Sequence, residues 1–195
     1  GGGGGARRGC VGAGRAGRGG GSGAAWGGAG RAGRVRHVAR SLIRVEADEV
    51  TYPLQIIHRY RLEKALLSGD LAVTDLPGAW RDGMKHLLGV DVPNDRDGCM
   101  QDIHWMDGAF GYFPTYTLGA MAAAQIYQAA ASALPELSDC LARGDFAPLM
   151  NWLADHVHGL GRLHAGADDL LRAVTGAPLD GAIFRKHLEN RYLAG

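Results

Sequence analysis

At 195 residues the chain has room for one domain or slightly more, and its formal charge of +1 conceals two unlike parts. Residues 1–40 hold 17 of the 32 glycines and eight arginines with no Asp or Glu, whereas residues 41–195 carry 13 Lys and Arg against 20 Asp and Glu. The acidic body speaks against nucleic acid as a partner, and no apolar run approaches the roughly 18 residues that a membrane-spanning helix needs.

Residues 1–37 form a Gly, Ala and Arg tail that cannot bury enough apolar surface to offset the entropy of ordering, so disorder is expected there. An RNA-binding tail would interleave stacking aromatics with its charge, and only Trp26 is on hand. Gly, Ala and Arg all have GC-rich codons, so a wrong-frame translation product would also have this composition. The body, residues 38–195, reads as helical throughout. Ser41 is placed to cap a first helix running to about Ala65, with Val50, Leu54, Ile57 and Leu62 at helical spacing. Pro53 is expected to kink that helix, and Ser68-Gly69 to end it. Asp75 followed by Leu76-Pro77 opens a second helix carrying Trp80, Met84, Leu87 and Leu88, which Gly89 closes. Val92 to Asp95 is a turn.

An irregular stretch follows, Gly98-Cys99-Met100-Gln101-Asp102-Ile103-His104-Trp105 and then Gly108-Ala109-Phe110-Gly111-Tyr112-Phe113-Pro114-Thr115-Tyr116. Phe113-Pro114 starts a long Ala-rich helix to about Ala133. Pro135 restarts a short helix to Arg143, and further helices are predicted over about 147–158, 168–175 and 181–193. No stretch alternates like a strand for more than a few residues, so the fold class is all-α with no βαβ pattern.

The irregular stretch resembles a signature of the carboxypeptidase Taq family of zinc-dependent metallocarboxypeptidases, G-x-x-Q-D-x-H-W, written here over Gly98 to Trp105. A second family signature, I-R-x-x-A-D, stands as Ile43-Arg44-Val45-Glu46-Ala47-Asp48. The resemblance begins abruptly near Val38, where the tail ends, and implies the C-terminal helical half of a gluzincin-like, cleft-bearing fold. It also implies a cytoplasmic enzyme, homodimeric when full length, that removes C-terminal residues from peptides with broad specificity. The family's zinc motif would lie upstream of Ile43. Three cysteines, Cys10, Cys99 and Cys140, are odd in number and far apart, with no C-x-x-C pair and no disulfide framework, which fits a reducing compartment.

By that resemblance the residues here are the wall of a cleft opposite the zinc. Arg44 is the candidate cation for the substrate's terminal carboxylate, since a guanidinium meets a carboxylate through two parallel hydrogen bonds. Its alternative is a salt bridge to Asp48, four residues on along a helix. Asp48 would orient Arg44 or close a buried network. Tyr116 and Tyr112 are candidate oxyanion donors, or core aromatics whose hydroxyls bond backbone. His104 would donate to the intermediate or to the substrate carbonyl, or else bridge Asp102 and backbone within the core. Gln101, which faces the substrate in this reading, and Asp102 would hold His104 or a zinc ligand. Trp105 reads as packing.

No metal ligand is assigned. A zinc peptidase of this type needs H-E-x-x-H on one helix, and none of the eight histidines has that pattern. His156 and His158 are two apart, which faces them away from each other on a helix, so a solvated helix end is their expected place. The purified chain is predicted to bind no stoichiometric zinc and to have no peptidase activity of its own. Metal analysis finding one tightly held zinc per chain would overturn this and direct attention to His156, His158 and His164.

Overall fold

The computed structural model describes residues 36–193, and they contain helices, turns and irregular chain but no strand. The tail expected over residues 1–37 lies outside them apart from Arg36 and His37. The described residues divide into two compact units, one of residues 36–124 with 180–193 and the other of residues 125–179. No described helix is long and apolar enough to cross a membrane.

The first unit opens differently from the pattern expected of Ser41. Instead of one long helix there is a single 3-10 turn, Arg44–Glu46, then extended backbone at Ala47, and α1 begins only at Tyr52 and runs to Ser68. Asp48 causes the break. Its Oδ1 accepts the N–H groups of Val50 and Thr51 at 2.9 Å each, and its Oδ2 accepts that of Ala39 at 2.9 Å. A short acidic side chain that bonds nearby backbone competes with the helical pattern, and these bonds hold the Asp48 carboxyl below its ordinary pKa against the opposing effect of burial. Pro53 then falls in the first turn of α1, where its missing N–H leaves no bond unmade, so no kink forms.

α1 is not a simple amphipathic helix. Its buried residues are Gln55, Ile56, His58, Arg59, Leu62 and Glu63, four of them polar. α2 follows over Leu76–Leu88 and buries Trp80, Met84 and Leu88. With Leu62 and Val92 these form the core of the unit. The two helices meet where the His58 imidazole stands edge-on to Trp80 at 4.9 Å, and a Cβ on Gly83 would overlap that ring. α3, Pro114–Ala133, begins in this unit and ends in the second. The last helix of the first unit, called α7 in chain order, is Gly181–Tyr192. Its His187 and Tyr192 bond the Glu49 carboxylate at 2.8 and 3.0 Å, and Arg191 reaches it at 3.2 Å.

The second unit holds the end of α3, then α4 (Leu137–Ala142), α5 (Ala147–His156) and α6 (Ala167–Thr175). Ala130, Leu137 and Trp152 are its buried centre. His156 does lie at a helix end, with Nδ1 bonded to Trp152 O at 2.9 Å and its ring stacked on Trp152 at 4.5 Å. Cys99 is a free thiol. Cys140 is buried in the second unit, and Cys10 lies outside the described residues.

The α1–α2 contact yields two predictions. Gly83→Ala gains helix propensity yet drives a methyl into His58, so the variant should lose about 1–3 kcal/mol of stability, measured by denaturant unfolding. Stability equal to the parent would show that the imidazole can move aside. Burial, reinforced by the charges of Arg59 and Arg61, lowers the His58 pKa from 6.5 to about 4. Between those pH values the unfolded chain holds the extra proton and the folded chain does not. Stability should therefore be intact above pH 6.5 and fall, on the order of 3 kcal/mol, as pH drops toward 4. His58→Gln should flatten that window, and an unchanged pH profile in the variant would assign the acid sensitivity to other groups.

Candidate functional site

The stretch between α2 and α3 has no helix, and tight turns shape it. Gly108 and Gly111 take φ of 76° and 79°, values open to glycine at little cost, so the chain doubles back between Trp105 and Tyr112. Gly98 is needed for a different reason. A Cβ there would lie 2.8 Å from Val92 Cγ1 and 3.0 Å from Asn94 O. Trp105 packs against the core of the first unit, as expected of it.

Two groups on α1 fix this stretch. Glu63, 2% exposed, accepts the Gly111 N–H at 2.6 Å and the Trp105 indole N–H at 3.3 Å. Arg59, fully buried, donates from Nε to Asp102 Oδ2 at 2.6 Å, while its Nη1 donates to Gln55 O and Oε1 at 3.0 and 2.8 Å. Sequence reading missed Gln55, Arg59 and Glu63. Their i, i+4 spacing places all three on one face of a helix, but three polar residues in a row of that kind ordinarily mark a solvated face.

Arg44 is held on the other oxygen of the same carboxylate. Its Nε and Nη2 each lie 2.8 Å from Asp102 Oδ1, and Nη1 donates to Tyr52 Oη at 2.9 Å. The guanidinium also lies 5.0 Å from the Tyr116 ring centroid and 5.9 Å from those of Tyr52 and Phe113. Burial disfavours its charge, but bonding and attraction to Asp102 outweigh that and raise its pKa. Arg59, more deeply buried, has its pKa lowered by desolvation despite the same carboxylate. Asp48 is not among the groups that hold Arg44, because its bonds go to backbone at the start of α1. The helix that would have paired them at i, i+4 does not form.

Gln101 staples two segments. Its Oε1 accepts the Arg44 backbone N–H at 2.9 Å, and its Nε2 donates to Asp97 O at 2.9 Å and Leu42 O at 3.3 Å. Its amide is thus bonded to backbone rather than to His104. His104 Nε2 lies 3.0 Å from Tyr116 Oη, and its Nδ1, buried without a hydrogen-bond partner, lies 3.8 Å from Asp102 Oδ1. Tyr112 is half exposed, with its ring 5.5 Å from His104 and 5.4 Å from Tyr116. Burial raises the Tyr116 pKa while Arg44 opposes the shift, so the phenol keeps its proton at neutral pH and can donate.

Six of the seven candidate residues, all but Asp48, line one cavity of about 470 Å³ in the first unit, together with Val45, Ile103, Asp107 and Ala109. That volume suits a small ligand. Two guanidiniums share one carboxylate behind its wall, which leaves one positive charge uncompensated in the cluster and favours an anion. Of the five N–H donors of Arg44, the bonds above use three. His104 and Tyr116 add a hydrogen-bonding pair that can face a polarised oxygen. Among the described residues no group of three or more His, Cys, Asp or Glu could hold a metal ion, so this cavity does not fit one.

The family model for carboxypeptidase Taq (M32) metallopeptidase matches residues 32–192. Carboxypeptidase 1 of Bacillus subtilis is 44% identical over 152 residues, which cover 78% of this chain and 30% of that protein. Thermostable carboxypeptidase 1 of Thermus thermophilus is 46% identical over 160 residues, 82% of this chain and 31% of that protein. Among solved structures, Trypanosoma cruzi metallocarboxypeptidase 1 matches with a TM-score of 0.80 at 38% identity, covering 85% of this chain and 35% of that one. The M32 carboxypeptidase from Deinococcus radiodurans R1 matches with a TM-score of 0.78 at 42% identity, covering 81% and 32%. The chain thus spans about a third of the length of these relatives. Over that third, sequence and helical fold agree, and the chain belongs to the carboxypeptidase Taq (M32) metallopeptidase family.

Proposed function

We propose that this segment forms the substrate-holding wall of a metallocarboxypeptidase that releases C-terminal residues from peptides with broad specificity. The observation that carries the reading is the cavity in which Arg44, braced on Asp102, stands beside the His104–Tyr116 pair. In this reading the spare N–H donors of Arg44 take the terminal carboxylate of the peptide. His104 and Tyr116 donate to the carbonyl oxygen of the bond to be cut, with Tyr112 closing the cavity mouth. Gln101 and Asp102 keep Arg44 in place, the first through its backbone and the second through its guanidinium. Asp48 acts one step further away, by fixing the start of α1.

The metal that hydrolysis requires does not fit the described residues, so this wall binds, orients and polarises rather than activating water. Zinc as that metal, and a homodimer as the assembly of the whole protein, rest on the resemblance of the two signatures alone. The alternative is a helical fragment or interaction module with no catalysis, and the absence of H-E-x-x-H from the 195 residues favours it for this chain taken alone.

The carboxylate reading has a direct test. Benzoyl-glycyl-leucine should bind this chain about tenfold or more tightly than its C-terminal amide, because a charge-assisted hydrogen bond contributes about 1.5–3 kcal/mol. Chemical-shift titration measures both, and Arg44→Lys should erase most of the difference, since an ammonium lacks the planar pair of donors. Equal binding of acid and amide would remove Arg44 from the substrate. In a whole, active protein containing this segment, Arg44→Ala should mainly raise KM, and Tyr116→Phe should lower kcat on the order of 10²-fold. A Tyr116→Phe enzyme with full kcat would make that ring a packing residue.

A further inference from the structure

We propose that Asp107 gives the cavity a second pole, one that favours peptides whose terminal residue carries a cationic side chain, lysine or arginine. The proposal rests on the reading of Arg44 as the carboxylate site and adds the part of the substrate that Arg44 does not touch.

Two carboxylates line the cavity, Asp102 and Asp107. They are in opposite situations. Asp102 has both oxygens committed to guanidiniums. Asp107 is exposed, and its carboxylate has no hydrogen-bond or ion-pair partner among the described residues. Its backbone N–H bonds Ile103 O at 2.9 Å, so the residue closes a fixed turn rather than trailing in a free loop.

Charge balance then selects the ligand. Arg44 and Arg59 against Asp102 leave one positive charge for the terminal carboxylate, and Asp107 stands apart as a solvated negative one. A terminal residue with a neutral side chain adds one negative charge, its carboxylate, and leaves Asp107 unmatched. A basic terminal residue brings a carboxylate for Arg44 and a cation for Asp107. An acidic one adds a second negative charge beside an unpaired carboxylate. The rest of the wall suits a basic side chain as well. Val45 and Ile103 are 72% and 65% exposed, and with Ala109 and Tyr112 they present apolar surface. The methylene stem of lysine or arginine can lie along such surface with its charged head in water. Because Asp107 is solvated, the preference should be modest, about two- to fivefold.

The test measures dissociation constants of this chain for benzoyl-glycyl-arginine, benzoyl-glycyl-leucine and benzoyl-glycyl-glutamate at low salt. The expected order is arginine tightest and glutamate weakest. Asp107→Asn should bring the arginine peptide to the level of the leucine peptide. Asp107→Lys should invert the order, a gain that a misfolded variant could not imitate. Equal affinities in the parent chain, or an order that survives both substitutions, would overturn the role of Asp107 while leaving Arg44 untouched. Indifference to whether the terminus is acid or amide would defeat the Arg44 reading itself, and this proposal with it.

Discussion

One carboxylate holds the site together. Asp102 accepts from Arg44 through one oxygen and from Arg59 through the other, at 2.8 and 2.6 Å. A buried charge is costly unless it is paired and hydrogen-bonded. Here two cations share a single anion, so other groups take up part of their remaining donors, while Arg59 Nη2 is buried without a hydrogen-bond partner. Gln55 satisfies Arg59 Nη1, Tyr52 satisfies Arg44 Nη1, and aromatic faces cover both guanidiniums. Without Asp102, two buried guanidiniums would face each other uncompensated, and breaking a buried pair of this kind costs about 3–5 kcal/mol. The 3-10 turn at Arg44, helix α1 and the stretch at Asp102 meet at this point, the last of them 43 residues beyond Arg59 in the chain.

Helix α1 is the rigid member of that arrangement. Gln55, Arg59 and Glu63 stand one turn apart on its buried face, and each holds a different piece of irregular chain. Gln55 donates to Ser41 O at 2.9 Å, Arg59 reaches Asp102, and Glu63 grips Gly111 and Trp105. Loops carry chemistry well when a regular element positions them. Here polar rungs on a helix hold the segments, where an apolar face would have been the ordinary means. The arrangement explains why α1 looks so weakly amphipathic while being so deeply buried.

In the proposed reading the cavity that results holds and orients a peptide. Its cation is fixed, its phenol at Tyr116 stays protonated, and its imidazole is bonded to that phenol. Such preorganised donors act on charge as it develops without having to reorganise first. The described residues offer no metal cluster, so in the proposed division of labour this third of a metallopeptidase positions the peptide and other residues carry the bond-breaking centre.

The sequence determined much of this by itself. Prolines and glycines marked the ends of α2 and α3, because Pro in a first turn and Gly after a last one are local backbone effects. Two short signatures pointed to the family and contain Arg44, Gln101, Asp102 and His104, with Tyr112 and Tyr116 singled out downstream of them, and tertiary folding then gathered all six around one cavity. The start of α1 was misread because helical periodicity was followed across Asp48, whose side chain diverts the backbone. Which partner Arg44 takes was beyond local reading. Asp48 is its neighbour in sequence, yet Asp102, 58 residues away, is its neighbour in space. The same holds for Arg59 and Glu63. A charged side chain on a helix looks solvated until a distant segment arrives to pair with it, and only the tertiary structure decides whether one does.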